Sequence, residues 1–351
     1  MWRRFCRHRL ALLCLGVTLL LYALAAGAEF VAPSDPDATN ARMVFHPPQV
    51  VHWLVSTPAG FAWRPFVYAE ALKRDPVTLA PAYVVDPTRR VALGLFVHGT
   101  PYRLWGLLRS DIHLFGAVDP GAHVFLLGAD RLGRDMLSRI VFGARVSLSV
   151  GLVGVLCSLV LGIVLGGISG YFGGQTDWLI QRVIEFILSL PTIPVWLALA
   201  AALPKTWSPI TTYFMITLII SLVGWTQLAR VIRGRFLVLR GETYITAAML
   251  DGCSQARVIF RHMLPALTSH IIASITLAVP QMILAETALS FLGLGLQPPA
   301  ISWGTLLEEA QNVNTLASAP WLLLPGVAVA IAVLALNFLG DGLRDAADPH
   351  A

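Results

Sequence analysis

VSLSVGLVGVLCSLVLGIVLGGISGYFGGQT, residues 146–176, contains no charged side chain. A helix that crosses the hydrocarbon layer of a membrane needs roughly 20 mostly apolar residues, so this stretch is long enough to span it. Other uncharged stretches occupy residues 10–28, 186–204, 206–229, 262–285, 287–307 and 310–340. The chain of 351 residues is only 13% charged, whereas soluble domains carry about 25% charged residues. The sequence therefore predicts a polytopic membrane protein.

Six of these stretches predict membrane-spanning helices. The stretch 287–307 is excluded because GLGLQPPAISWG, residues 293–304, interrupts it with Gly, Pro and Gln, and lipid does not tolerate exposed irregular backbone. In the third span, Pro191 and Pro194 predict a bend. We expect an all-α membrane fold with six transmembrane helices, at about 10–28, 146–168, 179–202, 209–229, 267–289 and 320–340.

The arginines predict the orientation of these spans, because short loops rich in Lys and Arg stay in the cytoplasm. The N-terminal MWRRFCRHR has four arginines, the loop 230–266 has six, and the connection 290–319 has no Lys or Arg. Both termini and the loop 230–266 are therefore expected inside, and residues 29–145 outside. The net charge of +5 follows from this topology. It does not indicate nucleic-acid binding, since interleaved basic and aromatic blocks are absent.

The predicted organisation has four parts. Residues 1–28 form a cytoplasmic tail and the first span, 29–145 an extracytoplasmic insert, 146–340 a core of five helices, and 341–351 a cytoplasmic tail. The first apolar stretch is followed by Ala26-Gly27-Ala28, which is typical of a cleavable signal peptide. Its 19 uncharged residues exceed the usual signal core, which favours a retained anchor.

The insert carries its own local signals. The stretch 90–108, RVALGLFVHGTPYRLWGLL, predicts a β-hairpin around the connection HGTP, and the segment before it, with Pro47, Pro48, Pro58 and Pro65, predicts irregular extended chain. The insert is a packing lid or a docking surface for another protein. Residues 130–148 place apolar side chains at helical spacing, which predicts an amphipathic helix at the membrane surface. Asp130 and Arg134 on that helix either anchor it or bind a ligand.

Several kinds of chemistry are excluded by motif. The chain has no G-x-x-x-x-G-K-[ST], and its two lysines, Lys73 and Lys205, lie outside phosphate-binding contexts, so it is not an ATPase. No G-x-S-x-G or H-E-x-x-H motif indicates a hydrolase, and no Cys/His cluster indicates a metal site. The cysteines Cys6, Cys14, Cys157 and Cys253 all lie outside the insert, which therefore has no internal disulfide. Intramembrane Glu286 either lines a pathway or is paired, and Arg182 with Glu185 predicts a surface ion pair.

YITAAMLDGCSQARVIFRHMLP, residues 244–265, is half-polar although it lies between two apolar spans. Residues 242–251 can form a helix that Gly252 ends in a left-handed conformation. Ser254 can cap a second helix to residue 260 or 262, and Pro265 can stand in the first turn of the fifth span. We therefore expect a short helix–turn–helix at the cytoplasmic surface. Ile245 and Met249 would stack on it, and Ala247 with Ala248 would leave a flat face for a partner.

This segment resembles the EAA loop of ABC-importer permeases through Ala247-Ala248, Gly252, and Leu264-Pro265. The resemblance to the oligopeptide/dipeptide importer family is wider and covers about 126–340. It includes LLGADRLGRDMLSRIVFGARVSLSVGLVG (126–154), GGISGYFGGQTDWLIQRVIEFILSLPTIP (166–194) and ETALSFLGLGLQPPAISWG (286–304). The long insert is similar to the subgroup associated with oligopeptides and microcin C-type peptide–nucleotide conjugates.

The resemblance implies a permease subunit of an ATP-driven, binding-protein-dependent importer in a bacterial inner membrane. Its implied partners are a second homologous permease, two nucleotide-binding subunits that bind ATP and Mg²⁺, and a periplasmic binding protein. No cofactor would be bound by this chain. The coupling contact with the ATPase would use Ala247, Ala248, Asp251, Gly252, Arg257, Leu264 and Pro265.

Two residues depart from the loop pattern: Thr246 stands where Glu is usual, and His262 where an aliphatic residue is usual. The contact with the ATPase would therefore differ in detail. Oligopeptides or peptide-like conjugates are the expected substrate, with nickel chelates or other small solutes as the alternative. A gradient-driven carrier would need repeated halves or several buried ionisable groups, and Glu286 is the one well-placed candidate.

Overall fold

The computed structural model describes residues 5–57, 60–74, 81–119, 121–204 and 206–347. Their contacts divide the chain into two compact units. The first, called the helical unit below, comprises Met1–Leu19, Ser147–Ala300 and Val329–Ala351. The second, called the sheet unit, comprises Leu20–Val146 and Ile301–Ala328. The sheet unit thus joins the predicted insert to a stretch of chain from near the C-terminus.

Helices account for most of the described chain. The α-helices are α1 (Arg9–Ala26), α2 (Ala28–Val31), α3 (Met136–Phe172), α4 (Gly174–Ser189), α5 (Thr192–Ala201), α6 (Pro209–Arg240), α7 (Thr243–Leu250), α8 (Gln255–Arg257), α9 (Leu264–Ala266), α10 (Thr268–Phe291), α11 (Trp303–Glu308), α12 (Val313–Ser318) and α13 (Leu324–Ala347). A π-helix occupies Val258–Met263, and 3₁₀ turns occupy Glu309–Gln311 and Pro320–Leu323.

Five helical stretches in the described residues are long and apolar enough to cross a membrane: α1, α3, α6, α10 and the stretch Pro320–Ala346. They overlap five of the six predicted spans. The bend predicted in the third span, 179–202, is confirmed at Pro191, where α4 and α5 meet at an angle of 86°. Pro191 lacks a backbone N–H and forces Leu190 into an extended conformation, which ends α4. Counting this bent pair as one span gives six.

Three glycines on α3 let α6 pack closely against it within the helical unit. They are spaced four residues apart, at 162, 166 and 170, and so lie on one face of α3. A Cβ on Gly166 would lie 2.4 Å from the Ala229 carbonyl oxygen, and one on Gly170 would lie 2.8 Å from the Arg233 carbonyl oxygen. Small residues at this spacing let membrane helices approach closely and gain van der Waals contact.

The sheet unit contains a four-stranded antiparallel sheet in the order β1 (His52–Thr57), β2 (Gly60–Arg74), β3 (Pro81–Leu104) and β4 (Leu108–Ala117). Val67, Val91 and Val124 form the centre of its apolar core. The membrane helices agree with the predicted all-α membrane fold, and the insert contains more β-structure than the single predicted hairpin. The segment predicted as irregular contains β1 and β2, with Pro65 inside β2, while Pro58 lies outside the described residues.

The predicted hairpin exists, but its turn lies elsewhere. The connection HGTP is part of β3, where a bulge places His98 opposite Ile112 and Tyr102 opposite Ser110. The chain reverses instead at residues 105–107, where Gly106 has a φ of +74°. Both stretches contain a glycine, Gly99 and Gly106. The turn forms at Gly106, where the paired strands end and the glycine adopts the left-handed conformation.

The amphipathic surface helix predicted over 130–148 is also wrong as a separate element. The helix begins at Met136 and continues without a break to Phe172, so the domain boundary drawn at residue 145 lies inside α3. Arg134, expected on that helix as an anchor or a ligand contact, is only 8% exposed, and the neighbouring Arg139 is 4% exposed. Helical spacing alone did not show that these charged faces are covered by the rest of the sheet unit.

We predict that Gly166→Ala destabilises the protein, although alanine is the better helix former. The new methyl group would overlap the Ala229 carbonyl, and such overpacking costs about 1–3 kcal/mol. Gly234→Ala on α6 is the matched control, since no atom lies within 4 Å of the added Cβ. Thermal unfolding in detergent should show a lower Tm for Gly166→Ala and an unchanged or higher Tm for the control. Equal Tm values would contradict the proposed contact.

Candidate functional site

A short helical segment joins α6 to α10, and we call residues 242–267 the connecting segment. Its first helix, α7, has Glu242 at its N-cap and is followed by Gly252 at a φ of +76°. Glycine adopts this left-handed conformation without strain, so Gly252 ends the helix as predicted. The Ser254 hydroxyl accepts a hydrogen bond from the Arg257 backbone N–H at 3.4 Å and caps the second helical stretch. The predicted helix–turn–helix is confirmed.

The second helical stretch is longer than predicted and contains a wider turn. The π-helix Val258–Met263 lies between α8 and α9, and the long helix α10 begins only at Thr268. Pro265 therefore lies in α9 and not in the first turn of the span. Its ring lacks an N–H and would crowd the Arg261 carbonyl in a regular α-helix, which a wider turn relieves.

One face of the connecting segment is fully buried in the helical unit. Ile245, Val258 and Met263 have no exposed surface. The other buried members of their cluster are Tyr171 on α3, Ile232 and Phe236 on α6, and Leu267. Burying each large apolar side chain contributes about 1.5–3 kcal/mol. The connecting segment is therefore firmly attached to the ends of α3 and α6.

The opposite face of the connecting segment carries exposed apolar side chains. Leu250 is 84% exposed and Phe260 is 68% exposed, and Tyr244 is also exposed. Arg257 and Arg261 are exposed beside them. Large apolar residues grouped with arginines are typical of a surface that binds another protein. Neither Leu250 nor Phe260 was identified from the sequence as a contact residue, although Leu250 lies two positions before the glycine-centred turn.

The predicted coupling residues divide by exposure. Ala247, Asp251, Gly252, Arg257 and Pro265 are exposed, Leu264 is half-buried, and Ala248 is buried. Met249 is 38% exposed and does not share the buried face with Ile245, because Ala248 takes that place at i+3. The Thr246 hydroxyl donates to the Glu242 carbonyl at 3.2 Å, so this residue supports the first turn of the helix. His262 is half-buried.

A charged clip lies on the same part of the helical unit. The Arg233 guanidinium on α6 donates two hydrogen bonds to Asp177 near the start of α4, with Nε to Oδ1 at 2.5 Å and the other nitrogen to Oδ2 at 2.6 Å. The Ser169 hydroxyl donates to the same carboxylate. Two parallel charge-assisted bonds fix both distance and orientation. The clip joins the ends of α3, α4 and α6 next to the cluster that holds the connecting segment.

A cleft of about 480 Å³ lies between α4–α5, α6 and α10. Its polar lining is uncharged and consists of Thr192, Thr226, Gln227, Ser274 and Gln281, with Trp196 and Gly224 among the other lining residues. Gln227 and Gln281 are exposed at the surface of the helical unit, although both stand within long apolar helices. The Trp196 indole N–H is buried and has no hydrogen-bond partner among the described residues. Polar groups at this depth are expected to face protein or water and not lipid.

Glu286 is not among the residues that line this cleft. It is fully buried on α10, where it accepts hydrogen bonds from the Ser147 hydroxyl at 3.2 Å and the Ser290 hydroxyl at 2.8 Å. The Ser290 hydroxyl also accepts from the Leu296 backbone N–H at 3.0 Å. Of the two interpretations of Glu286, the hydrogen-bonded one agrees with this position. The carboxylate connects α3, α10 and the chain that follows α10.

In the sheet unit, Asp130 is the centre of a buried charged network. Its carboxylate accepts from the Leu132 and Arg134 backbone N–H groups at 2.8 and 3.0 Å and from Arg134 Nε at 2.6 Å. Glu309 lies 3.5 Å from the same guanidinium. Burial raises the pKa of Glu309, and the charge of Asp130 adds to this. These groups hold the loop before α3 against the chain after α11, so a structural role accounts for Asp130 and Arg134.

Asp135 caps the start of α3. Its Oδ2 accepts from the Ser138 backbone N–H at 2.8 Å and the Ser138 hydroxyl at 2.6 Å, which is N-cap geometry. Its Oδ1 is buried and has no hydrogen-bond partner among the described residues. Burial raises the pKa of Asp135 to about 6, although the Ser138 hydrogen bonds oppose the shift. The folded state thus binds this proton more tightly than the unfolded state.

Smaller expectations can also be compared with the structure. Arg182 and Glu185 form an exposed ion pair at 2.8 Å on one face of α4, as predicted. The four cysteines are free thiols. Across the described ranges, no group of three or more His, Cys, Asp or Glu side chains is placed to hold a metal ion.

Comparison with protein families shows what class of protein these helices form. Residues 162–351 match the family described as "Binding-protein-dependent transport system inner membrane component". Residues 1–48 match the "N-terminal TM domain of oligopeptide transport permease C". The chain belongs to the binding-protein-dependent transport family. It is an integral membrane permease subunit and not an enzyme, and ATP hydrolysis belongs to partner subunits.

Individual relatives agree with this assignment. The chain is 34% identical to the oligopeptide transport system permease protein OppC of Bacillus subtilis over 241 residues, which is 68% of this chain and 76% of that protein. It is 37% identical to the dipeptide transport system permease protein DppC of the same organism over 224 residues, 63% of this chain and 68% of that protein. Among solved structures, an inward-facing chain of the MetNI methionine ABC transporter is similar at a TM-score of 0.47 and 15% identity, over 61% of this chain and 98% of that chain.

We predict that Asp135→Asn makes the stability of the protein less dependent on pH. The raised pKa means that the protonated carboxyl stabilises the folded state below about pH 4, and this stability, up to roughly 3 kcal/mol, is lost as the pH rises towards 6. Asparagine keeps the cap and cannot ionise. The difference in Tm between acidic and neutral pH should therefore be smaller in the variant.

Asp135→Ala is the control for the cap itself. Relative to Asp135→Asn, it should lower stability at every pH by about 0.5–2 kcal/mol, because the Ser138 N–H loses its acceptor. Parallel pH curves for the native protein and Asp135→Asn would show that the buried carboxyl does not govern this dependence.

Proposed function

We propose that this chain is one of two permease subunits of an ATP-driven importer for oligopeptides or peptide-like conjugates. The observation that carries this proposal is the connecting segment, which has one face fixed to the ends of α3 and α6 and the other exposed with Leu250 and Phe260. A second homologous permease, two nucleotide-binding subunits that bind ATP with Mg²⁺, and a periplasmic binding protein complete the assembly. An importer of nickel chelates or other small solutes is the alternative.

The connecting segment is the contact through which ATP binding would move the membrane helices. Leu250 and Phe260 are exposed enough to enter a cleft on a nucleotide-binding subunit. Ile245 and Val258, on the opposite face, are packed against α3 and α6. A displacement of the segment would therefore move these two helices with it, because a packed core resists local deformation. Arg257 and Arg261 would pair with acidic groups of the partner.

The orientation of the chain follows from the same region. Its arginines are concentrated at the end of α6 and in the connecting segment, at 230, 233, 235, 240, 257 and 261. Lys and Arg in short loops are retained in the cytoplasm, which supports a topology with this end of the helices and both termini inside. The family description supports a bacterial inner membrane, with residues 29–145 on its periplasmic side.

The uncharged cleft is the proposed surface of the translocation pathway in this subunit. Gln227 and Gln281 each offer a donor and an acceptor, and Thr192 and Ser274 add hydroxyls. Amide side chains can bind the backbone of a peptide whatever its side chains are. A pathway without fixed charge therefore suits a permease that carries many different peptides. This cleft replaces Glu286 as the candidate pathway, and the relatives' names support peptide as the substrate class.

We predict that Leu250→Asp abolishes peptide uptake and the recovery of nucleotide-binding subunits with the purified chain. The side chain is 84% exposed, so the substitution leaves the fold intact while it places an uncompensated charge in the contact. Leu54→Asp on β1, at a site 60% exposed, is the matched control and should retain both properties. The measurement is affinity purification with mass spectrometry together with uptake of a labelled peptide. Normal uptake by Leu250→Asp would contradict the coupling role.

We also predict that Gln227→Leu combined with Gln281→Leu lowers peptide uptake while the complex still assembles. Leucine fills a similar volume but removes the hydrogen-bonding groups from the cleft. Leu222→Ala on α6 is the control, since Leu222 is exposed and does not line the cleft. Uptake of labelled peptide into proteoliposomes, with ATP hydrolysis measured in parallel, should show loss of transport for the double variant alone. Unchanged uptake would exclude the cleft as the pathway.

A further inference from the structure

The turn between β3 and β4 presents a group of exposed apolar side chains, and we call residues 104–108 the hairpin tip. Leu107 is 84% exposed, Leu108 is 68% exposed and Trp105 is 60% exposed. Water-exposed apolar groups of this kind usually mark an interaction site. The question is what covers them.

The hairpin tip is held at the end of α1. The Trp105 indole N–H donates to the carbonyl of Ala26, the last residue of α1, at 2.9 Å. The Arg145 guanidinium lies 4.5 Å from the Trp105 ring centroid and donates to the Ala25 carbonyl at 3.0 Å. These contacts all lie within the sheet unit.

An ion pair strengthens this attachment. Arg145 contacts Glu29 with a nitrogen–oxygen distance of 2.5 Å. Burial alone would raise the pKa of Glu29, but hydrogen bonds and charge from Arg145 outweigh it and hold the pKa below its usual range. The Glu29 carboxylate therefore stays ionised at neutral pH, and its ion pair with Arg145 is retained. The hairpin tip is fixed in position beside the end of α1.

The end of α1 indicates the depth at which the hairpin tip lies relative to the membrane. This helix of 18 residues is apolar along its length and is one of the candidate spans. Its last turn therefore reaches the boundary between hydrocarbon and headgroups. Tryptophan at this depth is typical of the aromatic belt, and leucines beside it can enter the acyl chains.

Two arginines flank the apolar residues of the hairpin tip. Arg103 on β3 stands directly opposite Arg109 on β4, and both are exposed. Like charges in opposite positions of a sheet destabilise it. An anion between or beside them would remove this repulsion, and the phosphates of lipids around the last turn of α1 would lie at the required level.

We propose that the hairpin tip is an interfacial membrane anchor, in which Trp105, Leu107 and Leu108 enter the lipid boundary and Arg103 with Arg109 binds phospholipid phosphates. The partner is thus the lipid surface around α1, because the tip is continuous with that helix and carries complementary charge. This role is independent of what the permease transports. It would hold the hairpin tip at a fixed depth beside the last turn of α1.

The test places a photoreactive amino acid at position 107 of the full transporter in nanodiscs and identifies its adducts by mass spectrometry. Position 84 on β3 is the matched control, since Val84 is 42% exposed and lies far along the strand from the turn. We expect phospholipid adducts at 107 and several-fold fewer at 84. Adducts at 107 to the binding protein or to the second permease instead of lipid would overturn the proposal, as would equal lipid labelling at both positions.

A second measurement tests the arginines. Nanodiscs of phosphatidylethanolamine are compared with and without phosphatidylglycerol, for the native tip and for Arg103→Gln combined with Arg109→Gln. We expect the phosphatidylglycerol adduct at position 107 to fall several-fold in the double variant, while labelling by phosphatidylethanolamine changes less. Equal loss of both adducts would show that the arginines bind the phosphate that both lipids share, without preference for the anionic headgroup. An unchanged adduct pattern would remove the arginines from the proposed site.

Discussion

The contact between the backbones of α3 and α6 is the constraint on which the helical unit depends. Gly166 and Gly170 leave room for the carbonyls of the facing helix, and side chains of ordinary size would keep the helices apart. The same approach brings Tyr171 and Phe236 together at one end, where they form the floor beneath the connecting segment. The packing of α3 against α6 thus forms the support for the connecting segment, which a partner would move.

Much of this architecture is present in the sequence because membrane spans are defined by length and lack of charge. The five long apolar stretches were located from composition, and the turn at Gly252 followed from the conformational freedom of glycine. The family resemblance rested on motifs that family comparison then confirmed over residues 162–351. Sequence rules of this kind succeed where the residues act locally, as when a long uncharged stretch forms a span or a glycine ends a helix.

The remaining features depend on tertiary contacts that no local rule contains. Arg134 and Arg139 fit an exposed amphipathic face by spacing, yet a buried acidic partner, Asp130, covers them. The clip between Asp177 and Arg233 joins residues 56 positions apart, so no local pattern in the sequence predicts that they pair. The candidate pathway residues differ between sequence and structure for the same reason. A carboxylate within an apolar span, such as Glu286, is conspicuous in the sequence, whereas Gln227 and Gln281 indicate a pathway only because the structure leaves them exposed.

The exposed glutamines of the cleft have a consequence for the biogenesis of the protein. A copy inserted into the bilayer by itself would present Gln227 and Gln281 to hydrocarbon, where an amide without a partner is costly. Complex formation would therefore be a requirement of biogenesis as well as of transport. Synthesis of this subunit in excess of its partners would leave orphan copies that membrane proteases can recognise, so its abundance would follow that of the scarcest partner.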